Sequence, residues 1–199
     1  NILGAHIDSP RIDIKQKPLY EKEGFAYFDT HYYGGIKKYQ WTTIPLAIHG
    51  VVAKKDGTII PICIGEKEEE PVFVITDLLI HLAQKQMTEK ATEVIQGENL
   101  DLLIGNCPLE QDETLEQEEK ETIKTNILKI LVDFYDIEEE DLLSAELEIV
   151  PAGKARDLGL DRSMILAYGH DDRVCAFTSV FAMMNVAEEI TESTLCCLL

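Results

Sequence analysis

Two short polar stretches, far apart in the chain, constrain it most. The first is Ala5-His6-Ile7-Asp8-Ser9-Pro10. Ile2 and Leu3 lead into it as a strand would, Gly4 breaks the run, and Pro10 turns the exit away from helix. The second is Tyr168-Gly169-His170-Asp171-Asp172-Arg173-Val174, which follows the apolar run Met164-Ile165-Leu166-Ala167 and leads into an apolar helix. Two polar strand ends of this kind can meet at the carboxyl edge of a sheet, where open α/β folds place their sites. The expected fold class is therefore α/β. Along a strand, residues i and i+2 share a face, so His6 and Asp8 can converge on one point. A neutral imidazole is a good ligand for zinc or a similar metal, and a neighbouring carboxylate can fix its tautomer. Alone, a His-x-Asp at a strand edge is more often a surface hydrogen bond than a metal site.

Around these stretches the chain reads as three parts. Residues 1–45 form a first part, with strands at Arg11 to Lys15 and Phe25 to Thr30. Tyr32, Tyr33 and Trp41 are expected in the core, and His31 is a further histidine that a site could use. Residues 46–150 form an inserted domain, too long for a loop. Leu46 to Ala53 and Thr58 to Ile64 are strands, with Asp56-Gly57 as the hairpin signal between them. Pro61 suggests an edge position or a bulge. Glu66 to Glu70 reads as a solvated loop. Thr76 or Asp77 is placed to cap a helix over 78–83 that contains His81. Leu100 to Ile104 reads as a strand, 110–121 as an acidic mobile loop, Ile123 to Phe134 as a helix and Ala145 to Val150 as a strand. Residues 151–199 return to the first sheet through a strand at 164–168, a helix at 174–189 and a strand from Leu195. The helix has an apolar face of Val174, Phe177, Val180, Phe181 and Met184.

Composition narrows the function. The net charge of -19 argues against binding nucleic acid through its phosphates, and equally against an anionic membrane surface. No apolar run reaches the roughly 20 residues of a membrane-spanning helix, and no signal-peptide pattern opens the chain. The missing initiator methionine and the strand-like end at Leu199 suggest a piece of a longer protein. Cys63, Cys107, Cys175, Cys196 and Cys197 show no metal-binding spacing and are expected as reduced core thiols in the cytoplasm.

The stretches GAHIDSPR and GHDDRVCAF together resemble the aspartyl aminopeptidase and vacuolar aminopeptidase I family of dinuclear zinc metallopeptidases. The likeness extends through HYYGGIKKYQW, PVFVITDLLIHL and DLLSAELEIVPAGKARDLGLDRSMI, in the expected order and over nearly the whole chain. The resemblance implies part of an α/β/α metallopeptidase sandwich, interrupted by a mixed β/α dimerisation domain. It implies two divalent metal ions per subunit, zinc or alternatively cobalt or manganese. His6 would ligate one ion, and Asp171 would bridge both across a cis peptide to Asp172, itself a structural residue. Asp8 would orient His6 as the catalytic carboxylate. His81 would reach a neighbouring subunit's site and touch substrate. The family's Glu-Glu base pair and remaining ligands would lie beyond Leu199, and Glu188-Glu189 is not assigned that role. The implied substrates are peptides with an acidic or neutral amino-terminal residue, and the implied assembly is a homodimer within a larger oligomer. Two rivals remain: a non-catalytic assembly module with idle metal motifs, and a glutamyl-aminopeptidase-type cage enzyme sharing the Asp-Asp-Arg motif.

Overall fold

The computed structural model describes residues 1–109, 122–186 and 193–198. The strands are β1 (Ile2–Ala5), β2 (Arg11–Lys22), β3 (Phe25–Tyr33), β4 (Leu46–Ala53), β5 (Ile59–Ile64), β6 (Leu102–Gly105), β7 (Ala145–Pro151), β8 (Arg156–Leu158), β9 (Met164–Leu166) and β10 (Leu195–Leu198). Two α-helices accompany them, α1 (Thr122–Tyr135) and α2 (His170–Met184). The fold is mixed α/β. It divides into two compact units, Arg11–Gly153 and the pair of segments Asn1–Pro10 and Lys154–Leu199.

The larger unit is built on an antiparallel sheet of six strands in the order β5-β4-β7-β2-β3-β6. Its first division falls after Pro10, not at residue 45, because β2 and β3 lie inside this sheet and β2 pairs with β7 through Ile12↔Ile149. Gly24 follows Glu23 with both at positive φ, which makes the two-residue turn joining β2 to β3. Strand β2 runs well past the expected end at Lys15. A register shift between Ile14 and Leu19 absorbs Pro18, which could not donate to a regular ladder. Asp56-Gly57 does turn β4 into β5, and β5 with Pro61 is the edge strand. Ile12, Leu46, Ile75, Leu100, Leu102 and Ile149 are fully buried at the centre of the core. Helix α1 packs on this core through Ile123, Ile127 and Leu131. The Glu21 carboxylate of β2 accepts the Ile123 and Lys124 N–H groups at 2.9 and 3.0 Å, filling the role of a cap.

Three local expectations change. Residues 78–83 form turns rather than a helix, and Leu78, Leu79, Ile80, His81 and Leu82 are all exposed. Of this run only the small Ala83 is buried, too little packing to sustain so short a helix. Trp41 is buried as expected, but Tyr32 and Tyr33 are exposed, and the Arg11 guanidinium lies over the Tyr33 ring. The five cysteines are free, yet none is a core residue; Cys63, Cys107 and Cys175 are exposed. The acidic stretch 110–121 and Glu188-Glu189 lie outside the described residues.

The smaller unit has the parallel pair β1–β10, the antiparallel pair β8–β9, and α2, which packs on β1 and β10. The expected apolar face of α2 is present but uncovered: Val174, Phe177, Phe181 and Met184 are exposed. Among the described residues no helix is long and apolar enough to cross a membrane.

Candidate metal centre

The two polar stretches identified in the sequence meet in the smaller unit. His6 and Asp8 lie on the segment that leaves β1, before Pro10. Asp171 and Asp172 lie in the first turn of α2, which Gly169 opens with φ of 89°. That left-handed value suits glycine, and it turns the chain sharply from β9 into the helix. Neither aspartate is helical: Asp171 has φ -87° and ψ 107°, Asp172 has φ -124° and ψ 30°. The peptide bond between them is cis. This backbone brings both carboxylates to His6. One ligand atom from each of His6, Asp171 and Asp172 lies within 4.8 Å of the others.

His6 sits between carboxylates. Its Nδ1–H donates to Asp8 Oδ1 at 2.9 Å, and its Nε2 contacts Asp172 Oδ2. The hydrogen bond to Asp8 is the largest influence on the His6 pKa and raises it; desolvation opposes the rise, and the negative field of Asp172, Asp8 and Asp171 adds to it. The Asp172 side chain is far less exposed than that of His6, 18% against 58%. Asp172 also holds the Cys175 thiol above its usual pKa, by accepting its hydrogen bond and by its charge. Both effects favour the neutral thiol.

An imidazole with two carboxylates is a donor set suited to zinc and neighbouring divalent metals. The residues present fit such an ion. Asp8 fixes the Nδ1 proton, so loss of the Nε2 proton would leave that lone pair facing Asp171 and Asp172.

The remaining candidates lie elsewhere. His170 is exposed as the first residue of α2 and is not in the cluster. His31 belongs to the larger unit, with Nε2 3.8 Å from Asp13 Oδ2. His81 also belongs to the larger unit, exposed in the turn after Asp77. The sequence points to Asp172 as a structural residue, and in the structure its carboxylate touches His6. The signal available was the Asp-Asp adjacency itself, ahead of a helix.

This mixed α/β chain gathers a histidine and two aspartates, a donor set for a divalent metal, at a strand end and a helix start. The family model described as aminopeptidase I zinc metalloprotease (M18) matches residues 1–198, and the chain belongs to that family. It is 61% identical over 185 residues to the probable M18 family aminopeptidase 1 of Clostridium acetobutylicum, covering 93% of this chain and 39% of that protein. The crystal structure of an M18-family aminopeptidase from Thermotoga maritima superposes with a TM-score of 0.84 at 52% identity, over 98% of this chain and 41% of that one. A dodecamer structure of mApe1 from S. cerevisiae shares the fold, with a TM-score of 0.60 at 20% identity, over 99% of this chain and 42% of that one. The chain spans about 40% of the length of the relatives it matches.

Proposed function

We propose that this chain is part of a metal-dependent aminopeptidase that releases the amino-terminal residue, acidic or neutral, from peptides. The observation that carries the reading is the meeting of His6, Asp171 and Asp172, with Asp8 on the far imidazole nitrogen. Two divalent ions per subunit, zinc or alternatively cobalt or manganese, would polarise the scissile carbonyl and lower the pKa of the attacking water. His6 would bind one ion through Nε2 and Asp171 would hold both. Asp8 keeps the imidazole in the ligating tautomer and raises its basicity. Asp172, against the same nitrogen, would hold His6 in place until metal arrives. His81 would touch substrate from a neighbouring subunit, and its exposure leaves it free to do so. The unit Arg11–Gly153 would serve dimerisation, within a larger homo-oligomer such as the mApe1 dodecamer. The five free thiols suit a cytoplasmic setting.

The test uses the full-length polypeptide that carries this chain. Metal-stripped protein is titrated with zinc, cobalt and manganese, and Asp-, Glu-, Leu- and Met-anilides are assayed. Two metals per subunit, and turnover lost by at least about 100-fold in Asp171→Ala, are expected for the loss of a ligand and its charge. Absence of metal-dependent turnover on every anilide would leave the chain a non-catalytic assembly module.

A further inference from the structure

The geometry points to Tyr168 as a positioning residue that holds the two ligand-bearing segments in register; this rests on the metallopeptidase reading above. Tyr168 lies between β9 and α2, and its hydroxyl donates to the Pro10 carbonyl at 2.8 Å. Pro10 closes the segment that carries His6 and Asp8. Tyr168 opens the turn that carries Asp171 and Asp172. One hydrogen bond therefore ties the end of one ligand segment to the start of the other.

Sheet pairing does not align these segments. Strand β1 pairs with β10, and β9 pairs with β8. His6 and Asp172 also link the segments, but an ion ligated by His6 would take over that nitrogen. Neither the Tyr168 hydroxyl nor the Pro10 carbonyl is needed as a ligand. Their bond can persist with and without metal, so it sets the geometry before an ion binds.

A second observation marks the same junction. Ser9, next to Pro10, is only 8% exposed, and its hydroxyl is buried with no hydrogen-bond partner among the described residues. It faces Gly169, next to Tyr168, where an added Cβ would lie 3.8 Å from the Ser9 oxygen. The two segments are packed together here, closely enough to strip a hydroxyl of water. Packing alone would leave them free to slide; the Tyr168 bond adds direction. Ligand sites tolerate displacements of only about 0.5 Å, and losing a supporting hydrogen bond typically weakens metal binding by about 10–100-fold.

The test is Tyr168→Phe in the full-length polypeptide, which keeps the ring and removes the hydroxyl. Zinc affinity is measured by chelator competition, and the cobalt-substituted site by its visible absorption. Zinc binding should weaken by about 10-fold with a changed cobalt spectrum. In the metal-free protein, amide exchange should quicken at residues 7–11 and 169–173, and the thermal midpoint should barely move. Ser9→Ala removes an unpaired hydroxyl and should leave zinc affinity unchanged. Zinc affinity within about twofold of wild type and unaltered exchange in Tyr168→Phe would overturn the assignment. So would a loss confined to Ser9→Ala. If the wild-type protein takes up no metal, the metallopeptidase reading fails by itself, and the exchange measurement still decides whether Tyr168 ties the segments.

Discussion

The two units handle their apolar residues in opposite ways. In the larger unit, strands from six positions in the chain share one buried face, and Ile12, Leu46, Leu102 and Ile149 have no contact with solvent. In the smaller unit, Ala176 is the one buried apolar side chain among the described residues, while Phe177 is 65% exposed and Met184 76%. The first pattern belongs to a unit that supplies its own hydrophobic driving force. In the second unit, most of the apolar surface of this chain, which spans about 40% of its relatives' length, is in water. The candidate metal centre lies in the second. Within this chain its geometry is carried by backbone turns and hydrogen bonds.

The contrast is broken most directly by deleting comparable apolar groups from each unit. Ile149→Ala, at the centre of the larger core, should cost about 2–5 kcal/mol, from lost transfer energy and the cavity left behind. Phe177→Ala on α2 should cost less than about 1 kcal/mol in the chain by itself, because its ring is largely in water. Urea denaturation of both variants, followed by far-ultraviolet circular dichroism, checks the pair. Equal losses would mean that α2 is covered in solution and that the units are alike.

A smaller effect isolates the larger unit's polar fittings. Glu21 of β2 accepts two N–H groups at the start of α1 and places a negative charge at that helix end. Glu21→Gln keeps one acceptor but removes the charge, and should lower stability by about 0.3–1 kcal/mol. Salt should shrink the difference, since screening weakens the charged form alone. A loss insensitive to salt would instead make Glu21 a packing residue.

The contrast also explains what could be read from the sequence. Asp56-Gly57 and the helix of Ile123, Ile127 and Leu131 were legible because turn chemistry and helical spacing are local. The membership of β2 in the larger sheet was not, because its pairing with β7 joins residues remote in sequence. The run Leu78 to Leu82 reads as a helix behind a Thr76 or Asp77 cap, yet every one of those side chains is exposed and no packed face sustains one. In the metal centre, the spacing of His6 and Asp8 was legible, since alternation places i and i+2 together. The same rule sets immediate neighbours apart, and so gave no warning of Asp172. In the turn before α2 the backbone is neither extended nor helical, and both aspartates reach the histidine. Periodicity fails there because no regular period exists.

The smallest expected effect is a titration, and it tests whether the larger unit's surface is as ordered as its core. Glu66 to Glu70 reads as a plain charged loop, but Glu70 is held inside it. The Lys67 ammonium lies 2.9 Å from one carboxylate oxygen, and the other accepts the N–H groups of Gly65, Glu66 and Lys67 at 3.1–3.2 Å. Lys67 first, then these N–H groups, push the Glu70 carboxyl down from 4.5 to about 2. The folded state thus prefers the ionised form. Its contribution is fully present above the unfolded value of 4.5 and is lost as pH falls through about 2. Glu70→Gln should be slightly less stable than wild type at pH 7, by a margin that holds to about pH 5 and closes towards pH 2. Thermal melts of both proteins across that range check it. A margin that stays constant to pH 2 would show that the carboxylate is not held by Lys67 and the loop N–H groups.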